Sequence, residues 1–245
     1  MAKVHPSAVV DRHAELAPDV EVGPYCVIGP GVRVGEGTRL LSHVVLTGRT
    51  AIGRNNVIHP FAAIGGEAQM RKAPTPRDPA RETLAIGDDN VVREHVTIHV
   101  STGEQVTTIG SHNLLMVSCH VAHDVVIGSH CIVANAVQLA GHVVVEDYAV
   151  FGGLAGVAQR RRIGQSAFVA AGAMCERDVP PFVIVQGDRA RVRALNVVGL
   201  ERRGVPSESI AKLRRAFAAA FVRRERQLDT TDAWVKILSD FLGRT

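Results

Sequence analysis

Every sixth residue of this chain is aliphatic over most of its length, and that period decides what it can fold into. From Val4 the series runs Val10, Leu16, Val22, Ile28, Val34, Leu40, Leu46, Ile52, Ile58 and Ile64. With Val, Ile and Leu at roughly a quarter of the residues, such an in-phase run arises by chance on the order of once in a million. The frame pauses, returns at Ile86, Val92 and Ile98, pauses again, and continues from Ile109 to Cys175 with only Phe151 and Cys175 departing from Val, Ile or Leu. A period of six matches neither the helical 3.6 nor the heptad. It matches a solenoid of short parallel strands that each bury one aliphatic and pair coil to coil. Gly or Ala follows many of the inward aliphatics, as at Gly23, Gly35, Gly110 and Ala134, and there the spacing predicts the tight turns.

The two pauses predict loops that leave one continuous solenoid. The first, near 66–84, is polar and proline-rich and too long for a simple turn; the second, near 100–108, is shorter and contains Gly103. Loops of this kind carry function more often than the scaffold does. After Cys175 the composition changes. Ile210, Leu213, Phe217, Ala220 and Phe221 recur at helical spacing, as do Trp234, Ile237, Leu238, Phe241 and Leu242. Ser207 and either Thr230 or Thr231 are the expected N-caps. The expected organisation is a β-helix over 1–189 and a small helical domain over 190–245 that covers the open end of the solenoid.

Composition narrows the partners. Of 245 residues, 28 are Lys or Arg and 24 Asp or Glu, a net charge of +4, while aromatics are only 4% and the arginines gather in the last third. A nucleic-acid surface is not indicated, and an anionic small substrate fits better. No segment runs eighteen apolar residues without a charge and the first residues have no apolar signal core, so neither a membrane span nor secretion is expected and a cytoplasmic location follows. Cys26, Cys119, Cys131 and Cys175 form no C-x-x-C pair and read as core residues.

Chemistry concentrates in the stretch 111–124, SHNLLMVSCHVAHD. With three repeats per coil, residues eighteen apart stack at about 4.8 Å per layer. Gly141 therefore lies one layer from His123, and Gln159 one layer further. Acyl transfer to a hydroxyl or amine needs a base for its proton and a donor for the developing oxyanion. His123 and the bare Gly141 amide can supply them, Asp124 can orient the imidazole, and His120 and His142 add hydrogen-bonding groups for a sugar.

At these residues the chain resembles the hexapeptide-repeat acyltransferases, and among them the UDP-N-acetylglucosamine acyltransferases that begin lipid A biosynthesis. The likeness extends over Ser42-His43, Arg93-Glu94, Thr97 to His99, Leu139 to Val143, Asp178 to Gly187 and Asn196 to Gly204. It implies a left-handed parallel β-helix and a 3-hydroxyacyl donor carried on acyl carrier protein. It also implies sites between neighbouring subunits of a homotrimer, with no cofactor and no metal. His123 would be the general base, Asp124 its partner and Gly141 the oxyanion donor. His120, His142, Gln159, Gln69 and Lys72 would position the acceptor; Asn196, Arg202 and Arg203 would meet the UDP portion; Ala171 and Arg189 would stand at the end of the acyl-chain channel. The chain departs from the family at Met70, where a carboxylate is usual, at Ala158, where a histidine is usual, and at Asp188-Arg189, where a histidine often follows Gln-Gly. An N-acyltransferase acting on a 3-amino UDP-sugar, and a divergent hexapeptide acyltransferase of other substrate, stay open, as do a three-histidine zinc enzyme on the same scaffold and a non-catalytic homologue.

Overall fold

The computed structural model describes residues 1–70, 83–103, 105–225 and 227–243. Short strands, most of two residues, assemble into three parallel sheets of 11, 9 and 8 strands, one strand of each sheet per coil. This is the parallel β-helix that the six-residue period implied, with the left hand that the resemblance implied. The register is eighteen residues, as in Val27↔Val45 and Ile28↔Leu46. Each strand turns one aliphatic inward, so Ile28, Leu46, Ile64, Ile98, Val121 and Leu139 form one buried column, each at most 1% exposed.

Both expected loops are excursions from this register. Val57 pairs with Val91 and Thr97 with His120, separations of 34 and 23 residues instead of 18, yet the same sheets resume on the far side. The first excursion leaves the strand Ala63–Gly66 and rejoins at Thr83–Ile86; the second lies between Thr97–His99 and Thr107–Ile109.

The turns are built otherwise than the glycine pattern suggests. Gly35 and Gly110 do not have positive φ; the left-handed residues come two positions later, at Gly37 (φ +67°) and His112 (φ +59°). Among the described residues nineteen other than glycine occupy that region, Tyr25, His43, Phe61 and His95 among them. The glycines after the inward aliphatics serve contact between coils. A Cβ on Gly35 would lie 2.7 Å from the Gly53 carbonyl oxygen, and one on Gly110 2.6 Å from that of Gly128. Coil spacing, rather than backbone freedom, requires them.

Inside one corner runs a ladder of buried amides. Asn56, Asn90 and Asn113 are each at most 2% exposed. Their Nδ2 groups donate to the carbonyls of Gly87, Gly110 and Gly128 at 2.9, 3.0 and 2.9 Å. Their Oδ1 atoms accept from the backbone N–H of Asn90, Asn113 and Cys131 at 2.9, 2.9 and 2.7 Å. The four cysteines are free and buried, and burial pushes the thiols of Cys119 and Cys131 up to about 12, which leaves them unreactive.

The solenoid ends in a hairpin. The strand Val183–Gln186 continues the largest sheet and pairs antiparallel with Arg191–Leu195, so pairing bridges the expected 189/190 boundary. Helices α1 (Val197–Arg202), α2 (Ser207–Phe217, running on through a π-helical turn Ala218–Arg223) and α3 (Ala233–Leu242) follow. They form a second core on Phe182, Leu195, Leu200, Leu213 and Leu238, with Phe217 and Phe221 touching both cores. The caps differ from those expected. Pro206 precedes α2 without a side-chain cap, and Asp232 caps α3, accepting from the N–H of Trp234 at 2.9 Å and of Val235 at 3.4 Å. Asp232 prevails over Thr230 and Thr231 because its carboxylate also accepts from Ser209 Oγ at 2.9 Å, tying α3 to α2.

Replacing Asn90 by Ala leaves the Gly110 carbonyl and the Asn113 N–H without partners. It is expected to cost about 2–4 kcal/mol, read as a lower urea midpoint at unchanged slope.

Candidate active site

Asp124 is the most enclosed polar group of the site. It occupies a left-handed corner (φ +59°) and is 0% exposed. The second excursion wraps it: Thr102 donates its N–H to Oδ1 at 3.1 Å and its hydroxyl to Oδ2 at 2.8 Å, and Gln105 Nε2 donates to the Asp124 carbonyl. The Asp124 N–H in turn donates to Thr107 Oγ1 at 2.8 Å. Asp124 Oδ2 lies 2.8 Å from His123 Nδ1. An ionised carboxylate only accepts, so Nδ1 carries the proton and Nε2 keeps its lone pair.

Gly141 stacks against that imidazole. The next residue's N–H, on His142, donates to the His123 carbonyl at 3.1 Å. A Cβ on Gly141 would lie 2.6 Å from His123 Cε1 and 2.8 Å from Nε2, so only glycine admits the ring. The Gly141 N–H makes no hydrogen bond among the described residues. Following the pairing from Leu139 down to Ile28, the same coil position is Pro30, which has no N–H to offer. The Gly141 N–H is therefore available beside His123.

A groove of about 810 Å³ runs across this point along one sheet and its corner. Toward the N-terminal coils it is walled by Gln69, His99 and His120; toward the C-terminal coils by Leu139, Gly156, Val157, Ala158 and Met174. One end is thus lined by imidazoles and an amide, the other mainly by aliphatic groups with Gln138, Gln159 and Glu176 also in its lining, and His123 and Gly141 lie between. His120 Nδ1 is 2.7 Å from Thr97 Oγ1. Burial, then the charges His99 and His123 would carry, push the His120 imidazole down to about 4. His142 stands edge-on to His123, ring centroids 5.3 Å apart, with Nε2 3.7 Å from Asp124 Oδ2 and 3.5 Å from Arg160 Nη2. The ligand atoms of His123, Asp124 and His142 lie within 4.8 Å of one another and could take a metal ion. Such an ion would compete with Thr102 and His123 for Asp124 Oδ2.

The other residues expected at the site are placed as follows. Gln159 is exposed and lines the groove beside Ala158. Lys72 lies outside the described residues. Ala171 is exposed and is not among the groove's lining residues, whose far end is held by Met174 and Glu176; Arg189 lies beyond it, its Nε 3.9 Å from Glu176. Asn196 and the two arginines are not among the groove's lining residues. Both polar atoms of Asn196 are engaged, Nδ2 donating to the Ser166 carbonyl at 2.9 Å and Oδ1 capping α1 through the Gly199 N–H at 3.1 Å. Arg203 lies over the Tyr148 ring at 4.0 Å and the Trp234 ring at 4.8 Å, and donates to Ser166 Oγ at 2.8 Å. Arg202 is exposed.

Residues 1–36 match the bacterial transferase hexapeptide model (six repeats), and residues 178–242 match the second domain of UDP-N-acetylglucosamine O-acyltransferase. LpxA of Acinetobacter baumannii is 36% identical over 98% of this chain and 96% of its own, with a TM-score of 0.91. The chain belongs to the UDP-N-acetylglucosamine O-acyltransferase family. The Moraxella catarrhalis enzyme of that name is 33% identical over 98% of this chain and 96% of its own (TM-score 0.90), and the Arabidopsis UDP-N-acetylglucosamine acyltransferase 35% over 95% and 87% (TM-score 0.78). The contacts that fix Asp124 in this acyltransferase come from Thr102, Gln105 and Thr107, none of which spacing singled out. The excursion breaks the count of eighteen, so only their place in a loop beside the histidines could have marked them.

Two outcomes follow from this geometry. Gly141→Ala is expected to push the His123 ring aside and to lower kcat/KM by about 10²-fold, a displacement of about 1 Å in a positioned group being worth that much, with little change in unfolding midpoint. His120 is held neutral in the fold, whereas the unfolded chain takes up a proton near 6.5. Between about 6.5 and 4 the unfolded state therefore binds more protons, and stability, full above that range, falls as pH drops through it. Urea titrations at pH 7 and pH 5 are expected to show a smaller loss in His120→Gln than in the parent.

Proposed function

We propose that this chain transfers a 3-hydroxyacyl group from acyl carrier protein to the 3-hydroxyl of UDP-N-acetylglucosamine, the first step of lipid A biosynthesis. The observation that carries this is the His123–Asp124 pair set between an imidazole-lined and an aliphatic half of one groove. A sugar fits the first half and an acyl chain the second, which brings hydroxyl and thioester together at His123.

In this reaction His123 Nε2 takes the proton of the sugar hydroxyl as its oxygen attacks the thioester carbonyl. Asp124 accepts from Nδ1 and stabilises the imidazolium that forms. The unspent N–H of Gly141 donates to the oxyanion, and the imidazolium returns its proton to the departing thiol. The sequence of steps draws on no cofactor. His120, with Nδ1 engaged by Thr97, presents Nε2 to the acceptor, and His142, Gln159, Gln69 and Lys72 complete its positioning. Arg202 meets the nucleotide diphosphate, while Arg203 and Asn196 act through the loop they hold. The aliphatic half ends at Met174 and Glu176, with Ala171 and Arg189 bordering that end.

The groove has one wall in a single chain, since its lining comes from one sheet, the corner beside it and residues at the start of the first excursion. A neighbouring subunit of a homotrimer supplies the second wall and brings Arg202 to the nucleotide. Among the described residues no helix is long and apolar enough to cross a membrane; the carrier-borne donor is what places the proposed reaction in the cytoplasm.

The deciding assay mixes 3-hydroxyacyl carrier protein with UDP-N-acetylglucosamine or its 3-amino analogue and detects products by mass. Ester product with the first is expected; amide product alone would move the activity to N-acylation. His123→Ala is expected to lose about 10²–10⁴ in kcat while eluting as a trimer on sizing, and a variant retaining half the activity would remove His123 as the base.

A further inference from the structure

Asp124 is a buried anion whose ion-pair partners, among the described residues, are the imidazoles of His123 and His142. An imidazole supplies a full positive charge only when protonated, and His123 must stay neutral to keep the lone pair on Nε2. A divalent cation would meet the buried carboxylate's charge outright. The corner opens on the groove through His123 and Gly141, so an ion has a way in.

The three side chains converge as ligands do. Asp124 Oδ2 lies 2.8 Å from His123 Nδ1 and 3.7 Å from His142 Nε2, and the ligand atoms of the set fall within 4.8 Å of one another. A tetrahedral ion held at about 2.0–2.2 Å by imidazole and carboxylate separates its ligands by roughly 3.4 Å. The spacings of 2.8 and 3.7 Å bracket that value, so one pair opens and the other closes by roughly half an ångström. His142 makes the rest of the approach by rotation of its side chain, its ring standing edge-on to His123 with centroids 5.3 Å apart. Two groups compete with the ion. Arg160 Nη2, 3.5 Å from His142 Nε2, belongs to an exposed side chain that can turn into solvent. The Thr102 hydroxyl donates to Oδ2 at 2.8 Å, and the lone pair that the His123 N–H now uses would become the ion's. Two imidazoles and one carboxylate suit zinc and its neighbours in the transition series, whereas magnesium and calcium take oxygen ligands.

We propose that His123, Asp124 and His142 form an inhibitory site for a divalent transition ion of the zinc class, with water as the fourth ligand. The Nδ1–H bond of His123 breaks as the Nδ1–metal bond forms, and the proton is taken up through solvent at Nε2. The imidazole then carries its hydrogen on the nitrogen that has to accept one, and the base is lost without any change in the groove. Binding depends on the three side chains alone; the loss of activity rests on the function proposed above.

The test uses the full chain stripped of metals by a chelator and dialysed, then titrated with Co²⁺ as a spectroscopic probe and with Zn²⁺ in the transfer assay. The parent is expected to take up one ion per chain with the visible spectrum of four-coordinate cobalt, and Zn²⁺ to displace it. His142→Gln is expected to weaken Co²⁺ binding by about 10–100-fold. Should that variant unfold, Arg160→Gln decides: losing the neighbouring cation strengthens binding at this corner and leaves binding elsewhere as it was. In the assay Zn²⁺ is expected to lower kcat with the KM of both substrates unmoved, and a chelator to restore it. Equal Co²⁺ uptake by the parent and His142→Gln, or a six-coordinate spectrum in the parent, puts the ion on outlying histidines and overturns the site. An ion bound at this corner with kcat unchanged overturns the inhibition. A metal-free parent that makes no transfer product overturns the proposed function, while the cobalt titrations still decide the site.

Discussion

Coil-to-coil hydrogen bonding at a fixed eighteen-residue register is the constraint on which the rest of this molecule depends. It makes every position in one coil the neighbour of its equivalents above and below, so a side chain acts within a column. The aliphatic columns are the core. The glycine columns let the coils close to strand spacing, since a single Cβ at Gly35 or Gly110 would meet the next coil's backbone. The asparagine ladder applies the same rule to polar groups, each amide bonding a carbonyl across to the next coil and an N–H above it.

The His123 corner is this register put to use. Stacking places a ring at one level and a residue without a side chain at the next, and the pairing of His123 with Gly141 follows from the count alone. The coil supplies less to Asp124, whose hydroxyl and amide donors come from Thr102 and Gln105 in the second excursion. A rigid scaffold thus fixes the distance between the His123 imidazole and the Gly141 N–H, while a loop fixes the carboxylate that orients the imidazole. The two tasks are divided between parts of the chain of different regularity.

How much was legible in the sequence divides along the same line. The solenoid, its two interruptions, the closing helices, and the juxtaposition of His123, Gly141 and Gln159 follow from periodicity, because a repeat converts sequence distance into spatial distance. The turn geometry was not legible, since non-glycine residues such as Tyr25 and Asp124 adopt positive φ with no compositional sign. Neither was the setting of Arg203, whose ring partners Tyr148 and Trp234 lie 55 residues before it and 31 residues after it and share no repeat with it. Asn196 and Arg203 look from their neighbours in sequence like ligand contacts; in the fold Asn196 bonds Ser166 and Gly199, and Arg203 donates from Nη1 to Ser166.

The way the first excursion is inserted has a further consequence. It departs and returns at a corner, between strands that belong to different sheets, and the Thr83–Ile86 strand still pairs in register with Arg49–Ile52. Length added or removed at that corner is therefore invisible to the levels beyond it, whereas one residue gained inside a strand would turn every later aliphatic outward. The imidazole-lined side of the groove, where Gln69 stands, can diverge in size and chemistry while the vertical spacing of His123 and Gly141 is conserved by the scaffold itself.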